Sequence, residues 1–247
     1  MMRRQEFIGV VAALAVCWAG TALAQPFPGG LPQCQRSLNT CNANLATCST
    51  QLSACQSAAQ AFPATGQTTC WNSAGVVISC AGTGQDGDIQ AGATLSYTDN
   101  GNGTITDNNT KLVWEKKSAD GTIHDVNTVY TWDDAFAVHI AGLNSANFAG
   151  HNDWRVPNVK ELQSIVNYEK FEPAVSTEFN SNCMSGSTVL TGSCTATPYW
   201  TSSTDASLLT AAWRVVFNDG HVDVGFKFGI PFHVRAVRGG SNLGSSQ

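Results

Sequence analysis

Residues 153–162 read DWRVPNVKEL, and this stretch marks the start of a helix within the 247-residue chain. Asn158 is a preferred N-cap residue, and Glu161 follows three residues later, where a capping-box side chain reaches back to the cap. The pattern therefore predicts a helix that begins at Asn158. Its buried face consists of Val159, Leu162 and Val166, with Ile165 beside them.

A second helix is predicted upstream of this stretch. Thr131 can cap it, and Asp133 and Asp134 fall in its first turn, where negative charge interacts favourably with the helix dipole. Apolar residues recur at helical spacing after the cap. The predicted buried face consists of Trp132, Ala135, Phe136, Ile140 and Leu143.

Short strands are predicted on both sides of the two helices. Turn sequences separate them at residues 99–103 (DNGNG), 107–109 (DNN) and 218–220 (NDG). The predicted strands cover residues 97–98, 104–106, 112–114, 199–201, 213–217, 222–224 and 233–238. The expected fold class is α+β, an antiparallel sheet with two helices and a long disulfide-closed loop.

The first residues predict export. Arg3 and Arg4 precede an apolar run, and an A-x-A site ends at Ala24, so residues 1–24 have the pattern of a cleaved signal peptide. Cys17 offers an alternative lipidation site, although Val16 is bulky for a lipobox. No later segment is long and apolar enough to cross a bilayer. The expected location is secreted, periplasmic or cell-surface.

Of the nine cysteines, the eight after Cys17 form an even set in an oxidising compartment, which indicates disulfides. Cys70 and Cys80 flank a turn and a short apolar strand, which predicts a hairpin closed by its own disulfide. Cys183 and Cys194 lie in a Ser-, Thr- and Gly-rich stretch and are expected to close a long surface loop.

Residues 34–60 contain a heptad repeat. Cysteine recurs every seventh residue and leucine occupies the alternate apolar position, which predicts a helical, coiled-coil-like stalk. Residues seven apart in one helix are separated by about 10.5 Å, too far for a disulfide that needs Cα atoms within about 7 Å. Bridges between chains of a homo-oligomer are therefore expected; a helical hairpin with internal bridges and a helix with free thiols are the alternatives. The four cysteines are Cys34, Cys41, Cys48 and Cys55.

Composition indicates how the rest of the chain is organised into segments and which classes of partner are disfavoured. Residues 68–92 are predicted to form the small hairpin and a linker, residues 94–238 a globular head, and residues 239–247 a disordered Gly/Ser-rich tail. The chain has 18 acidic and 13 basic residues. This balance argues against nucleic acid as a partner, and against binding of sulfated polysaccharide through bulk charge.

Several motifs in the head resemble one known family. They are residues 97–104 (YTDNGNGT), 112–114 (LVW), 153–157 with Glu161-Leu162, 199–203 (YWTSS) and 234–238 (VRAVR). Together they resemble the Lcl C-terminal domain, named after a collagen-like bacterial adhesin. The resemblance implies an exported adhesion or ligand-binding domain, with an extracellular glycan or protein as partner, often carried on an oligomeric stalk. The motif order is also similar to that of C-type-lectin-like and sulfatase-modifying-enzyme-like domains, a fold analogy only.

The motif residues are expected to build the scaffold, because large aromatic side chains are usually buried and arginines in strands often form structural ion pairs. A rim that binds sugars or peptides is the alternative interpretation. The loop at residues 178–198 is the expected place of ligand contact. The motif residues are Trp154, Arg155, Pro157, Glu161, Trp200, Trp213, Arg235 and Arg238.

The sequence contains candidate ligands for a metal site but no motif typical of an enzymatic site. Oxygen-rich residues in the first turns could bind calcium, although tight β-turns use the same residues. The five histidines show no metal-ligand spacing and no G-x-S-x-G motif is present, so neither a catalytic centre nor a cofactor is expected. The calcium candidates are Asp99, Asn100, Asn102 and Asp107.

Overall fold

The computed structural model describes residues 42–45, 47, 49 and 62–239. Residues 42–45, 47 and 49 are α-helical, and the Thr47 hydroxyl donates a hydrogen bond to the Ala43 carbonyl (3.0 Å). They lie within the predicted heptad segment. The signal peptide with Cys17, the four heptad cysteines and residues 240–247 lie outside the described part of the chain.

The described residues from 62 onward lie in one compact unit, Gln60–Gln247. It opens with a small hairpin of strands β1 (Cys70–Trp71) and β2 (Val77–Ile78), in which Cys70 pairs with Ile78. The Cys70–Cys80 disulfide closes the hairpin, and a short helix, α1 (Asp86–Ile89), follows. The predicted disulfide hairpin is confirmed.

Four antiparallel strands form the first sheet of the head, in the order β3-β4-β5-β9. They are β3 (Tyr97–Asp99), β4 (Thr104–Asp107), β5 (Val113–Glu115) and β9 (Val237–Arg238). The early strands and turns lie where the sequence places them. The last strand is shorter than predicted, because only Val237 and Arg238 pair with β5, whereas Phe232 and His233 form isolated bridges elsewhere.

The first predicted helix, α2, consists of three consecutive pieces: an α-helix at Trp132–Asp134, a π-helix at Ala135–Ile140 and an α-helix at Ala141–Ser145. Thr131 caps it, as predicted, by accepting a hydrogen bond from the Asp134 amide (3.2 Å). The prediction that Phe136 is buried is wrong, since its side chain is exposed. A π-helical turn contains an extra residue, so the 3.6-residue period no longer identifies the buried face.

The second predicted helix, α3 (Val159–Gln163), begins at the expected capping box. The Asn158 side chain accepts hydrogen bonds from the amides of Lys160 and Glu161 (both 2.9 Å), and the Glu161 carboxylate accepts one from the Asn158 amide (2.8 Å). The helix is shorter than predicted. Ile165 and Val166 are buried beyond its last residue, and Val159 is only half-buried.

A second antiparallel sheet contains β6 (Tyr199–Thr204), β7 (Ala211–Val216) and β8 (His221–Phe226). The NDG turn joins β7 to β8, where Val216 pairs with His221, as predicted. Before β6, the Cys183–Cys194 disulfide closes the long loop, and Ser181 bridges to Ser193. The α+β class is confirmed, with two sheets in the head where the sequence analysis expected one.

Two groups of buried side chains fill the interior. One lies under α3 and includes Trp114, Leu162, Phe179 and Phe217; the other lies against α2 and includes Trp154, Trp200 and Leu143. Buried residues from both sheets contribute to the first group, and the partly buried Val113 of β5 packs against the second, so the sheets share one interior. Among the described residues, no helix has the length and apolar character needed to cross a membrane.

Candidate ligand-binding surface

A cluster of charged side chains, which the sequence analysis did not identify, lies inside the head around Glu115 at the end of β5. The Glu115 side chain is fully buried, and both of its carboxylate oxygens are paired. One oxygen accepts hydrogen bonds from Lys117 Nζ (3.2 Å) and His124 Nδ1 (2.8 Å). The other accepts from His139 Nε2 (2.9 Å) and the Ala236 amide (2.9 Å). The carboxylate therefore joins β5 to α2 and to the segment before β9.

These contacts determine the protonation states of Glu115 and His139. Burial alone raises the pKa of Glu115, but the interactions with His139 and Lys117 and the hydrogen bond from His124 outweigh it and hold this pKa well below its ordinary value. Burial lowers the pKa of His139. Because an ionised carboxylate can only accept, His139 carries its proton on Nε2. Glu115 is thus ionised and His139 neutral at neutral pH.

Two buried basic side chains, Lys117 and Arg235, lie close to Glu115. Burial lowers the pKa of Lys117 despite the attraction of Glu115. Arg235 is fully buried, and it donates hydrogen bonds to the carbonyls of Glu115 (2.7 Å) and Cys194 (2.7 Å). Among the described residues Arg235 forms no ion pair, unlike the expectation for arginines in strands, because its guanidinium points inward to the disulfide loop. Arg235 therefore fastens that loop to β5.

The tryptophans of the motifs also make internal contacts. Trp154 and Trp200 are buried, and their indole nitrogens donate to the carbonyls of Phe148 (3.1 Å) and Tyr130 (2.9 Å). Trp213 departs from this pattern, since its side chain on β7 is only half-buried.

The remaining motif residues link residues 153–157 to neighbouring segments through ion pairs and a hydrogen bond. Arg155 pairs with both carboxylate oxygens of Glu161 (2.8 and 2.7 Å), and Arg238 pairs with Asp153 (2.7 and 3.2 Å). Pro157 is buried, and its carbonyl accepts a hydrogen bond from the Ser202 amide (2.8 Å). These two ion pairs are of the kind expected from the sequence.

Each of the four calcium candidates already bonds within or beside its own turn. Asp99 pairs with Lys116 Nζ (2.7 Å) and accepts from the Gly101 amide (2.9 Å), while Asp107 accepts from the Asn109 amide (2.8 Å). Asn100 and Asn102 bond to the Thr104 hydroxyl (2.8 and 2.7 Å). Within the part of the chain that the structure describes, no three His, Cys, Asp or Glu side chains are placed to share a metal ion.

The predicted contact loop at residues 178–198 is firmly anchored. Phe179 and Cys194 are buried, and the Ser187 carbonyl accepts a hydrogen bond from the Ala119 amide (2.7 Å). Met184 and Leu190 are its exposed apolar side chains. They are isolated apolar side chains on an otherwise polar loop, and isolated exposed apolar residues are common on protein surfaces.

A grouping of exposed apolar side chains lies at the end of the second sheet, on the last residue of β8 and on two adjacent loops. We name it the apolar rim: Leu208, Leu209, Phe226, Phe228 and Ile230, each between 40% and 72% exposed. The loops are joined by a hydrogen bond from the Lys227 amide to the Thr210 carbonyl (2.9 Å), and the rings of Phe226 and Phe228 lie 5.6 Å apart. Such a grouping indicates an interaction site.

Lys227 places one fixed positive charge beside the apolar rim. Its ammonium lies 4.2 Å from the centre of the Trp132 ring and donates a hydrogen bond to the Thr204 hydroxyl (2.8 Å). Phe136, exposed by the π-helical turn, stacks edge-on against Trp132 at 4.6 Å. The apolar rim thus continues onto the start of α2, with aromatic side chains that present large contact areas.

The sequence contained a signal for the apolar rim. Phe226, Phe228 and Ile230 alternate past the end of a predicted strand into a segment with Gly229 and Pro231, which are turn residues. Apolar residues in a turn cannot all face a core, so their exposure could have been predicted. The disulfide loop at residues 178–198 was the predicted contact segment instead.

The head is therefore a disulfide-bonded α+β domain with a paired, buried charge cluster and an exposed apolar rim. A family model described as the Lcl C-terminal domain matches residues 103–238, which is more than half of the chain. The chain belongs to that family, as the motifs in the sequence indicated. Comparison with curated proteins and with solved structures gives no significant match.

Proposed function

We propose that this chain is an exported, non-catalytic binding module whose head attaches to an extracellular glycan or protein. Membership of a family named after an adhesin's domain supports an adhesion-associated role. The observation that carries the proposal is the apolar rim. Fully burying an exposed Phe, Leu or Ile side chain is worth about 1.5–3 kcal/mol, and the part of each rim side chain that is still exposed contributes a share of this when a partner covers it.

The electrostatics of the head favour binding over catalysis. The most strongly perturbed carboxylate, Glu115, is buried and has a protein partner at each oxygen. Catalytic carboxylates need access to a substrate, whereas this one joins structural segments. The C-type-lectin-like analogy and the oligomeric stalk belong to the same proposal: several heads on one stalk would raise the apparent affinity through multivalency.

The apolar rim predicts a variant that folds but does not bind. Changing Phe226 and Phe228 together to serine is expected to reduce binding at least tenfold, because two exposed aromatic contacts are lost while the core is untouched. The measurement is binding of the mature protein to an array of extracellular glycans and matrix proteins, with a thermal melt to verify folding. Leu190→Ser, on the disulfide loop, is the matched control and should bind normally.

Three results would decide among the alternatives. Equal binding by the double variant and the wild type would remove the apolar rim from the site. Self-association of heads that the double variant abolishes, with no ligand bound, would favour a structural envelope or matrix protein. Turnover of a substrate by the wild type would favour an enzyme and contradict the proposal.

The heptad cysteines predict covalent oligomers. Changing Cys34, Cys41, Cys48 and Cys55 together to serine is expected to convert a disulfide-linked multimer into a single chain on a non-reducing gel, with the head still folded. The control is the pair Cys70→Ser and Cys80→Ser, which opens the hairpin disulfide but should leave the multimer intact. A wild-type protein that runs as a monomer without reductant would favour an intrachain hairpin or free thiols.

A further inference from the structure

A second concave feature lies away from the apolar rim, where residues 64–68 and 90 meet the head. It is a cleft of about 190 Å³, open to solvent, with walls that include Thr65, Gln67, Thr68, Thr94, Leu95 and Asn167. The side chains around it are hydroxyls, amides and one leucine. None of the lining residues is acidic, basic or aromatic.

The walls are fixed before any ligand arrives. Glu169 accepts hydrogen bonds from the amides of Thr68 (2.9 Å) and Thr69 (3.2 Å), and the Tyr168 amide donates to the Thr65 carbonyl (2.8 Å). Gly66 has a positive φ of 86°, and a Cβ there would lie only 2.6 Å from the Asn167 side-chain oxygen. The positive φ and this close approach favour glycine at the point where the two walls meet.

Several polar groups on these walls remain available. Across residues 62–239, the side chains of Gln67, Thr68 and Thr94 make no hydrogen bond within the protein. Other polar groups around the cleft are engaged: the Thr65 hydroxyl bonds to Asp86, and Asn167 bonds to Ser176 (3.3 Å) and to the Glu169 amide (3.0 Å). The carboxylates of Asp86 and Glu169 accept hydrogen bonds from the hydroxyls of Thr65 and Thr69. The cleft offers neutral donors and acceptors above the apolar side chain of Leu95.

We propose that this cleft binds a neutral sugar unit of a surface glycan. This inference goes beyond the proposed function, because it adds a second binding site, away from the apolar rim, and gives the class of its ligand. Hydroxyls and amides can exchange hydrogen bonds in both directions with sugar hydroxyls, and Leu95 can cover a C–H face of the ring. A sulfated sugar would find no cation among the lining residues. A peptide is less suited, because the walls hold no aromatic pocket for an anchoring side chain.

The test is binding of neutral monosaccharides and disaccharides to the mature protein by calorimetry, with sulfated sugars and a peptide array measured in parallel. Gln67→Leu combined with Thr94→Val is expected to weaken neutral-sugar binding at least tenfold, because it removes two free polar side chains at nearly constant volume. Gln163→Leu, on the exposed face of α3, is the control. The double serine variant at the apolar rim should keep its sugar affinity.

The possible results of this experiment distinguish failure of the inference from failure of the proposed function. Neutral-sugar binding that only the cleft variant loses supports the inference. Binding at the apolar rim with no affinity for neutral sugars overturns the inference and leaves the proposed function standing. Binding of sulfated sugars alone, or of a peptide that the cleft variant no longer binds, also overturns it. No binding of any kind by either surface overturns both proposals.

Discussion

Replacing Glu115 with alanine is expected to destabilise the head by about 3–5 kcal/mol, enough to unfold many domains of this size. The carboxylate is fully buried and pairs with Lys117, His124 and His139. Removing it leaves Lys117 charged in the interior beside Arg235, and burial already disfavours the charge on Lys117. The free energy of unfolding, measured by urea denaturation with tryptophan fluorescence, tests this expectation.

The matched control is Asp153→Asn, since Asp153 pairs with Arg238 at the surface and its side chain is 54% exposed. Exposed ion pairs contribute about 0–1 kcal/mol, so this variant should unfold close to the wild-type midpoint. A Glu115→Ala protein as stable as Asp153→Asn would show that the buried cluster is not needed for folding, and the interior would have to be relaxed or hydrated.

The pH dependence of stability supplies an independent check on Glu115. Its pKa in the folded head is held well below the ordinary glutamate value of about 4.3. A depressed carboxyl pKa stabilises the folded state above the unfolded-state pKa, and this contribution is lost as pH falls through the folded-state pKa. The wild type should therefore lose stability below about pH 4.3, and Glu115→Gln should show a shallower loss over the same range.

Local patterns in the sequence were sufficient to predict where the helices of the head begin and where its turns lie. Asn158 and Glu161 cap α3 through contacts within four residues, and a pattern of that length can be read directly from the chain. The start of α2 was also predicted correctly, and so was the burial of Ala135, Ile140 and Leu143. A π-helical segment depends on packing against the rest of the domain, so Phe136 is exposed although helical periodicity places it on the buried face.

The charge cluster could not be read from the chain because its members meet only in three dimensions. Glu115 and Lys117 are two residues apart, whereas His139 and the Ala236 amide lie 24 and 121 residues away. In the sequence, Glu115-Lys116-Lys117 has the composition of an exposed turn. Burial of Glu115 becomes favourable only after α2 and the segment before β9 supply their donors.

Trp154→Ala is expected to cost about 3–5 kcal/mol, because a large buried aromatic side chain is replaced by a cavity. Trp154 is 2% exposed and stacks on Phe148 with ring centres 5.2 Å apart. Its indole nitrogen donates to the Phe148 carbonyl (3.1 Å), so the substitution also removes one of the hydrogen bonds to that carbonyl, which keeps the bond from the His151 amide (3.0 Å). A thermal melt of the mature protein should show unfolding at a markedly lower temperature, with binding lost as a consequence.

Trp213→Ala is the comparison that separates scaffold from surface. Trp213 is half-buried and pairs across strands with Val224, whose side chain lies two residues before Phe226 on the same face of β8. Its loss should cost less stability than loss of Trp154, because part of the side chain is already in water and no closed cavity forms. Reduced binding by a folded Trp213→Ala protein would extend the apolar rim along β7. A normal melt of Trp154→Ala with altered binding would contradict the scaffold role and make Trp154 a contact residue.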